Sequence, residues 1–337
     1  MQSRNLKKVI IAGLLLVIFI FLYTSYWYMV KCEGEWQGIP FESKSVFNLA
    51  EIRKGLESNV DYMAGVLGPR NYVHYAQLQR CKEWIRQRWK SEGYTVNEQT
   101  FFIEGKEYTN LEIEFPGRTA PSEIIIVSAQ YDTLPDSPGA NNNASGMAIL
   151  LQLSRLLRNY TPDRTLRLVA FTTEEDPFFG TEMMGSYLYA KRSRQLGENI
   201  LVMLSLDALG IYKEEPNSQR LPFPFSLFYP NRGNFLAFIG NLHSRKYLKE
   251  STMGFKKGSS FPVKAGAVPE WAKGAGWSDH SSFWKFGYPA IMITDTGGFR
   301  SPYHTTKDDT MEKLNFDAMS RIVVGMYSAI VELTKKQ

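Results

Sequence analysis

Residues 123–158 read EIIIVSAQYDTLPDSPGANNNASGMAILLQLSRLLR. The first five, EIIIV, form an unbroken apolar run, as expected of a strand covered on both faces. Residues 145–158 carry helical spacing. A buried strand, a polar loop and a helix in that order open a strand–helix unit, and the chain repeats the pattern on either side. Residues 166–171 (LRLVAF), 201–206, 235–240 and 289–294 (PAIMIT) read as strands. Residues 183–192 and 315–333 read as helices. Upstream, residues 95–102 and 107–115 alternate as a hairpin about Glu104-Gly105-Lys106. Helices are expected over 46–67, broken by Gly68-Pro69, and over 76–91, closed by Gly93. Strands alternating with helices predict an α/β domain with a largely parallel sheet and helices on both faces.

Such sheets bind ligands at the carboxyl ends of their strands. The polar residues gather there. The first buried strand runs into Gln130-Tyr131-Asp132, the second into Glu174-Glu175-Asp176, the third into Asp207, and the last through Asp295 toward His304. Any one of these could be a solvated strand end or a cap. Acids and an imidazole meeting at one edge from four strands are what a metal hydrolase needs, with a spare carboxylate as base.

The chain has 337 residues, 44% of them hydrophobic, enough for one large domain and a membrane segment. Its net charge of +5 is spread without a dense basic block, so no nucleic-acid partner is expected. Four histidines (His74, His243, His280 and His304) exclude a histidine-rich metal site. Two cysteines, Cys32 and Cys81, make no disulfide framework. Residues 9–30 (VIIAGLLLVIFIFLYTSYWYMV) are uncharged and long enough to span a bilayer. Arg4, Lys7 and Lys8 precede them, and Tyr23, Tyr26, Trp27 and Tyr28 close them as an aromatic belt. The expected organisation is a cytoplasmic tail (1–8), a transmembrane anchor (9–30), a linker (31–45) and an extracytoplasmic domain (46–337), single-pass with the N-terminus inside.

Read together, SAQYD, GANNNASG, TTEED, LSLDALG, WSDHSSF and SPYHTTKDD resemble, in order and spacing, the motifs of a known family. It is the co-catalytic zinc exopeptidase family of bacterial leucyl aminopeptidases, glutamate carboxypeptidase II, glutaminyl cyclases and the transferrin receptor. The resemblance covers about residues 46–335. It implies an α/β/α sandwich around a mixed, mostly parallel sheet, and a peptide or protein N-terminus as substrate or ligand. It also implies Glu174 as general base, Glu175 and His304 as ligands of one zinc, and Asp207 as a ligand of the other. Asp132 would orient the first-motif histidine, and Asp279 and His280 would border the pocket.

Two positions depart from that pattern. Gln130 stands where the family has a zinc-binding histidine, and Asn142 where it has the aspartate that bridges both metals. Two dications about 4 Å apart repel by about 16 kcal/mol at an effective dielectric near 20. A neutral amide cannot offset that as a carboxylate does. The expectation is a degraded centre holding at most one zinc, weakly, with calcium or no metal as alternatives. The protein would then be weakly active or inactive and act by binding. The alternative is an active one- or two-zinc aminopeptidase, or a glutaminyl-cyclase-like enzyme, using Glu174.

Overall fold

The computed structural model describes residues 2–30 and 47–336. The linker expected over 31–45 and Cys32 lie outside them. The N-terminal helix α1, Gln2–Ser25, continues into a π-helical turn, Tyr26–Val30. It holds an apolar stretch, Ile10–Tyr28, of mean hydropathy 2.2 with its side chains exposed.

The domain is built on one eight-stranded mixed sheet in the order β1-β2-β4-β3-β5-β8-β6-β7. Its strands are β1 Asn97–Ile103, β2 Lys106–Phe115, β3 Ala120–Gln130, β4 Arg164–Phe171, β5 Asn199–Leu206, β6 Leu236–Gly240, β7 Val263–Ala267 and β8 Ala290–Thr294. The four central strands, β4, β3, β5 and β8, run parallel, so their carboxyl ends lie on one edge. The β1–β2 hairpin and the antiparallel β6 flank them.

The EIIIV run divides between two cores as a doubly covered strand must. Ile125 and Val127 join one apolar cluster, Ile124 and Ile126 the other. Above the first face lie α2 (Leu49–Val60), α3 (Tyr75–Ser91), α4 (Gly146–Leu157), α6 (Arg245–Gly258) and α8 (Phe316–Thr334). The other face is covered by α5 (Gly185–Gln195) and the short α7 (His280–Lys285), through Tyr189, Phe283 and Trp284. Leu168 and Leu204 point into the first core, Val169 and Met203 into the second, so the period-2 alternation holds across β4 and β5.

Three elements go beyond the sequence reading: α6, β7 and α7. Between the apolar Leu248 and Phe255, the buried side of α6 carries small Ser251, Thr252 and Gly254. Their smallness serves packing. A Cβ on Gly254 would sit 2.9 Å from the Ala329 Cα of α8. The helix expected over 46–67 is α2 followed by a π-helical turn, Asp61–Leu67.

Candidate functional site

The loop after β3 is fixed from three sides before it can present anything. Arg70, fully buried, donates to the Tyr131, Met63, Gly68, Pro138 and Gly139 carbonyls at 2.7–3.2 Å. Asp309 accepts from the Asn141 and Asn142 backbone amides at 2.8 and 3.0 Å. Asn141 bridges Asp295 and the Gly210 amide. Asn143 donates to the Leu206 carbonyl at 2.7 Å and accepts from the Ala208 amide at 3.1 Å. Gly146 lets α4 begin against this junction, since a Cβ there would meet the Leu206 carbonyl at 2.5 Å. The GANNNASG segment is thereby clamped to the ends of β5 and β8. Sequence reading missed Arg70 and Asp309, because a charge in a Gly-Pro break and the second acid of a KDD run both look like solvated loop residues.

Around that loop the expected residues converge. Gln130 donates through Nε2 to Glu174 Oε2 at 3.3 Å and to Asn142 Oδ1 at 3.4 Å. Its Oε1 accepts from Asn143 Nδ2 at 2.5 Å. Asn142 Nδ2 donates to Glu175 Oε1 at 2.5 Å. Asp132 Oδ2 accepts the backbone amides of Glu174 and Glu175 at 3.0 and 3.1 Å, so it holds the acid pair. Thr173, Ala208, Thr296 and Thr305 adopt left-handed backbone with φ from +52° to +81°, each at a strand end or beside His304. Strain of this kind in non-glycine residues gathers at functional sites.

Five buried carboxyls, Glu174, Glu175, Asp207, Asp279 and Asp132, share this small space, and Arg70 is a cation that acts on Asp132. Burial holds Glu174 well above its ordinary range, and Glu175, Asp207, Asp279 and Asp132 push it further. Glu175 is raised by burial and then by Asp132 and Asp207. Burial lifts Asp207 to about 7 against hydrogen bonds from Ser278 and Gln130. Asp132 is lifted to about 6 by burial against the two backbone amides. Asp279 is raised by burial against nearby Ser186, and neither of its oxygens has a partner at hydrogen-bond distance among the described residues.

The two histidines stand apart. His304 lines a neighbouring cavity together with Asp207, its Nδ1 has no partner, and burial lowers it to about 4. His280 is turned away, bonded through Nε2 to the Ala275 carbonyl at 2.7 Å and set edge-on against Trp284. Asp279 and His280 are the residues expected from the sequence to border the pocket. Both are fully buried, and the cavity wall is formed by residues such as Ala272, Ala275 and Trp277, facing Phe225, Phe238 and Phe299.

Residues 110–329 match peptidase family M28. The chain belongs to that family. Over 284 residues it is 33% identical to the uncharacterized protein YfbL of Escherichia coli K12, covering 82% of this chain and 86% of that one. It is 30% identical over 128 residues to the aminopeptidase YwaD of Bacillus subtilis, where the match spans 36% of this chain and 27% of YwaD. A zinc aminopeptidase structure from Bacillus subtilis superposes with a TM-score of 0.67 at 16% identity, covering 84% of this chain and 95% of the other. The domain is therefore an M28 zinc aminopeptidase-like domain on an α/β fold.

Zinc is the metal this family implies. Among the described residues, no three His, Cys, Asp or Glu side chains are grouped so as to hold an ion. Glu175, the expected ligand, accepts from the Asn142 amide, and Glu174, the expected base, accepts from the Gln130 amide. An amide nitrogen is a donor and repels a cation; only its oxygen could ligate.

The chelated protein should show the sign of these shifts. Asp132, Asp207 and Asp295 have folded pKa values raised to about 6, 7 and 6. Their contribution to stability is complete below the unfolded value near 4 and is lost as pH rises through the folded values. His280 and His304, both lowered to about 4, act oppositely: their contribution is lost as pH falls below about 6.5. Above pH 6.5 the carboxyls act alone. Urea midpoints in chelator should fall from pH 6.5 to 8.5, by about 1 kcal/mol of unfolding free energy in all, most of it below pH 7.5. A rising midpoint would contradict this account of the cluster.

Proposed function

We propose that this chain is a membrane-tethered M28 domain that binds peptide or protein N-termini, its two-metal centre degraded at Gln130 and Asn142. The observation that carries the reading is the Asn142 Nδ2 bond to Glu175 Oε1 at 2.5 Å. A bridging aspartate there would be a shared anion between metals. The amide instead satisfies one carboxylate by hydrogen bonding, and Gln130 does the same for Glu174. Glu174 remains where a general base would stand but has no metal-bound water to activate. Asp207, at the edge of the cavity, offers a charge partner for a ligand's α-ammonium group. The adjacent cavity takes the side chain that follows. In this reading α1 is the anchor, residues 1–8 lie in the cytoplasm and the domain from 46 onward lies outside it.

A second reading has its own support. Both Asp279 oxygens and Asp132 Oδ1 are buried without partners. One zinc or calcium ion held by Glu175 and His304, with the Asn142 oxygen after an amide rotation, would draw on that excess of negative charge. The protein would then be a one-metal hydrolase or cyclase with Glu174 as base.

Calorimetric titration with unblocked peptides, beside an assay of their cleavage, separates the two. The binding reading expects the same affinity with and without chelator, weaker binding of N-acetylated peptides by about tenfold or more, and no hydrolysis. Hydrolysis abolished by chelator and restored by zinc would overturn it.

A further inference from the structure

We propose that the segment 221–229, together with Trp271, seats in the headgroup layer of the membrane on the side where α1 emerges, so that the cavity beside Asp207 and His304 opens at the bilayer surface. This rests on reading α1 as a membrane span, and it adds a second point of attachment on the domain itself.

The Tyr26 ring packs on Phe228 at 5.1 Å. Arg245 Nε donates to the Tyr28 carbonyl at 2.7 Å, and its guanidinium lies 4.4 Å from the Tyr28 ring. Tyr26 and Tyr28 form the aromatic end of the apolar stretch, which places them at the headgroup level of a bilayer. Whatever touches them lies at that depth too. Phe228 belongs to a short loop that exposes Phe223 by 80% and Leu227 by 68%. Phe225 of the same loop is turned inward onto Val268, Ala272 and Ala275. The next residue over, Trp271, is 87% exposed. Exposed Phe, Leu and Trp side chains clustered on two joined loops are unusual on a soluble face and are the residue types that lodge in an interface.

Charge points the same way. Residues 216–249 contain no Asp or Glu and five basic residues: Arg220, Arg232, Arg245, Lys246 and Lys249. Lys273 is exposed on one side of Trp271 and Glu270 on the other, and Lys246 pairs with Glu250. A mostly basic rim around an apolar patch suits anionic lipid headgroups such as phosphatidylglycerol. The same loops rim the cavity, through Leu221, Pro222, Phe225 and Lys273. A ligand chain held at the membrane would reach the cavity without crossing open solvent.

The test uses the full chain in vesicles of phosphatidylcholine and phosphatidylglycerol. Cys32 is replaced by serine, and Cys81 is buried and unreactive in the folded protein. A polarity-sensitive fluorophore is attached at single cysteines: Leu227→Cys, Trp271→Cys, Val17→Cys within α1, and Phe102→Cys on β1 at the opposite edge of the sheet. Circular dichroism confirms that each variant is folded. Lipids bearing a quencher near the headgroup should remove about half the emission at 227 and 271, and little at 102. Adding Phe223→Glu to the 271-labelled chain should return its quenching to the level of 102. Deep-chain quencher acting on 17 while 227 and 271 stay as unquenched as 102 would overturn the proposal alone. No quenching at 17 would remove the anchor reading and this proposal with it.

Discussion

Replacing Gln130 by His and Asn142 by Asp in one chain should raise its zinc content to about two per chain and bring cleavage of aminoacyl-nitroanilides with it. The reason lies in the hydrogen bonds. Asn142 faces Glu175 with a donor and Gln130 faces Glu174 with a donor. Each substitution converts a group that occupies a carboxylate into one that competes for a cation. Asn142→Asp should matter more, because one carboxylate serves both metals and offsets the repulsion of about 16 kcal/mol between two dications near 4 Å apart. The loop needs no rebuilding. Asp309, Asp295 and Arg70 already hold the backbone on which residue 142 sits. Adding Glu174→Gln should then abolish cleavage, by a factor of about 100 or more, while zinc stays bound. A double variant that folds but gains no zinc would show that the ligand assignment is wrong. Zinc without cleavage of any peptide in a broad panel would place the loss in the pocket as well, and would strengthen the binding reading.

Arg70→Met should be the most damaging single change outside the apolar core, lowering stability by about 3–5 kcal/mol. The guanidinium is fully buried and bonded to five carbonyls, from Met63, Gly68, Tyr131, Pro138 and Gly139. Methionine fills much of the volume but takes those donors away; the Gly139 carbonyl keeps the Ala144 amide, and each carbonyl left as a buried orphan costs about 1–3 kcal/mol. It also removes the positive charge that opposes the raised Asp132 carboxyl. Denaturant unfolding measures the loss. A change within about 0.5 kcal/mol, the range of ordinary surface substitutions, would contradict the bracing role.

Much of this architecture is legible from local pattern. The EIIIV run announces a doubly covered strand, and Ile124 to Val127 indeed divide between two cores. The strand-end polar residues announce the site edge, and Gln130, Asp132, Asn142, Glu174 and Glu175 meet there. What pattern cannot carry is contact made by small or backbone groups. α6 packs through Gly254, Ser251 and Thr252, which read as breakers. Arg70 acts on carbonyls that any sequence would supply. His280 shares a motif with a pocket residue type, yet its ring is committed to the Ala275 carbonyl and Trp284. Side-chain direction, unlike strand position, is set by neighbours distant in sequence.

The central claim is that Gln130 and Asn142 leave this M28 domain without a two-metal centre. Elemental analysis of the purified, folded full-length chain after mild chelation tests it most directly. The account predicts less than about one zinc per chain, because Glu175 and His304 alone remain as strong ligands for the better of the two sites. Two tightly held zinc ions per chain would contradict it and make the protein an aminopeptidase with replacement ligands.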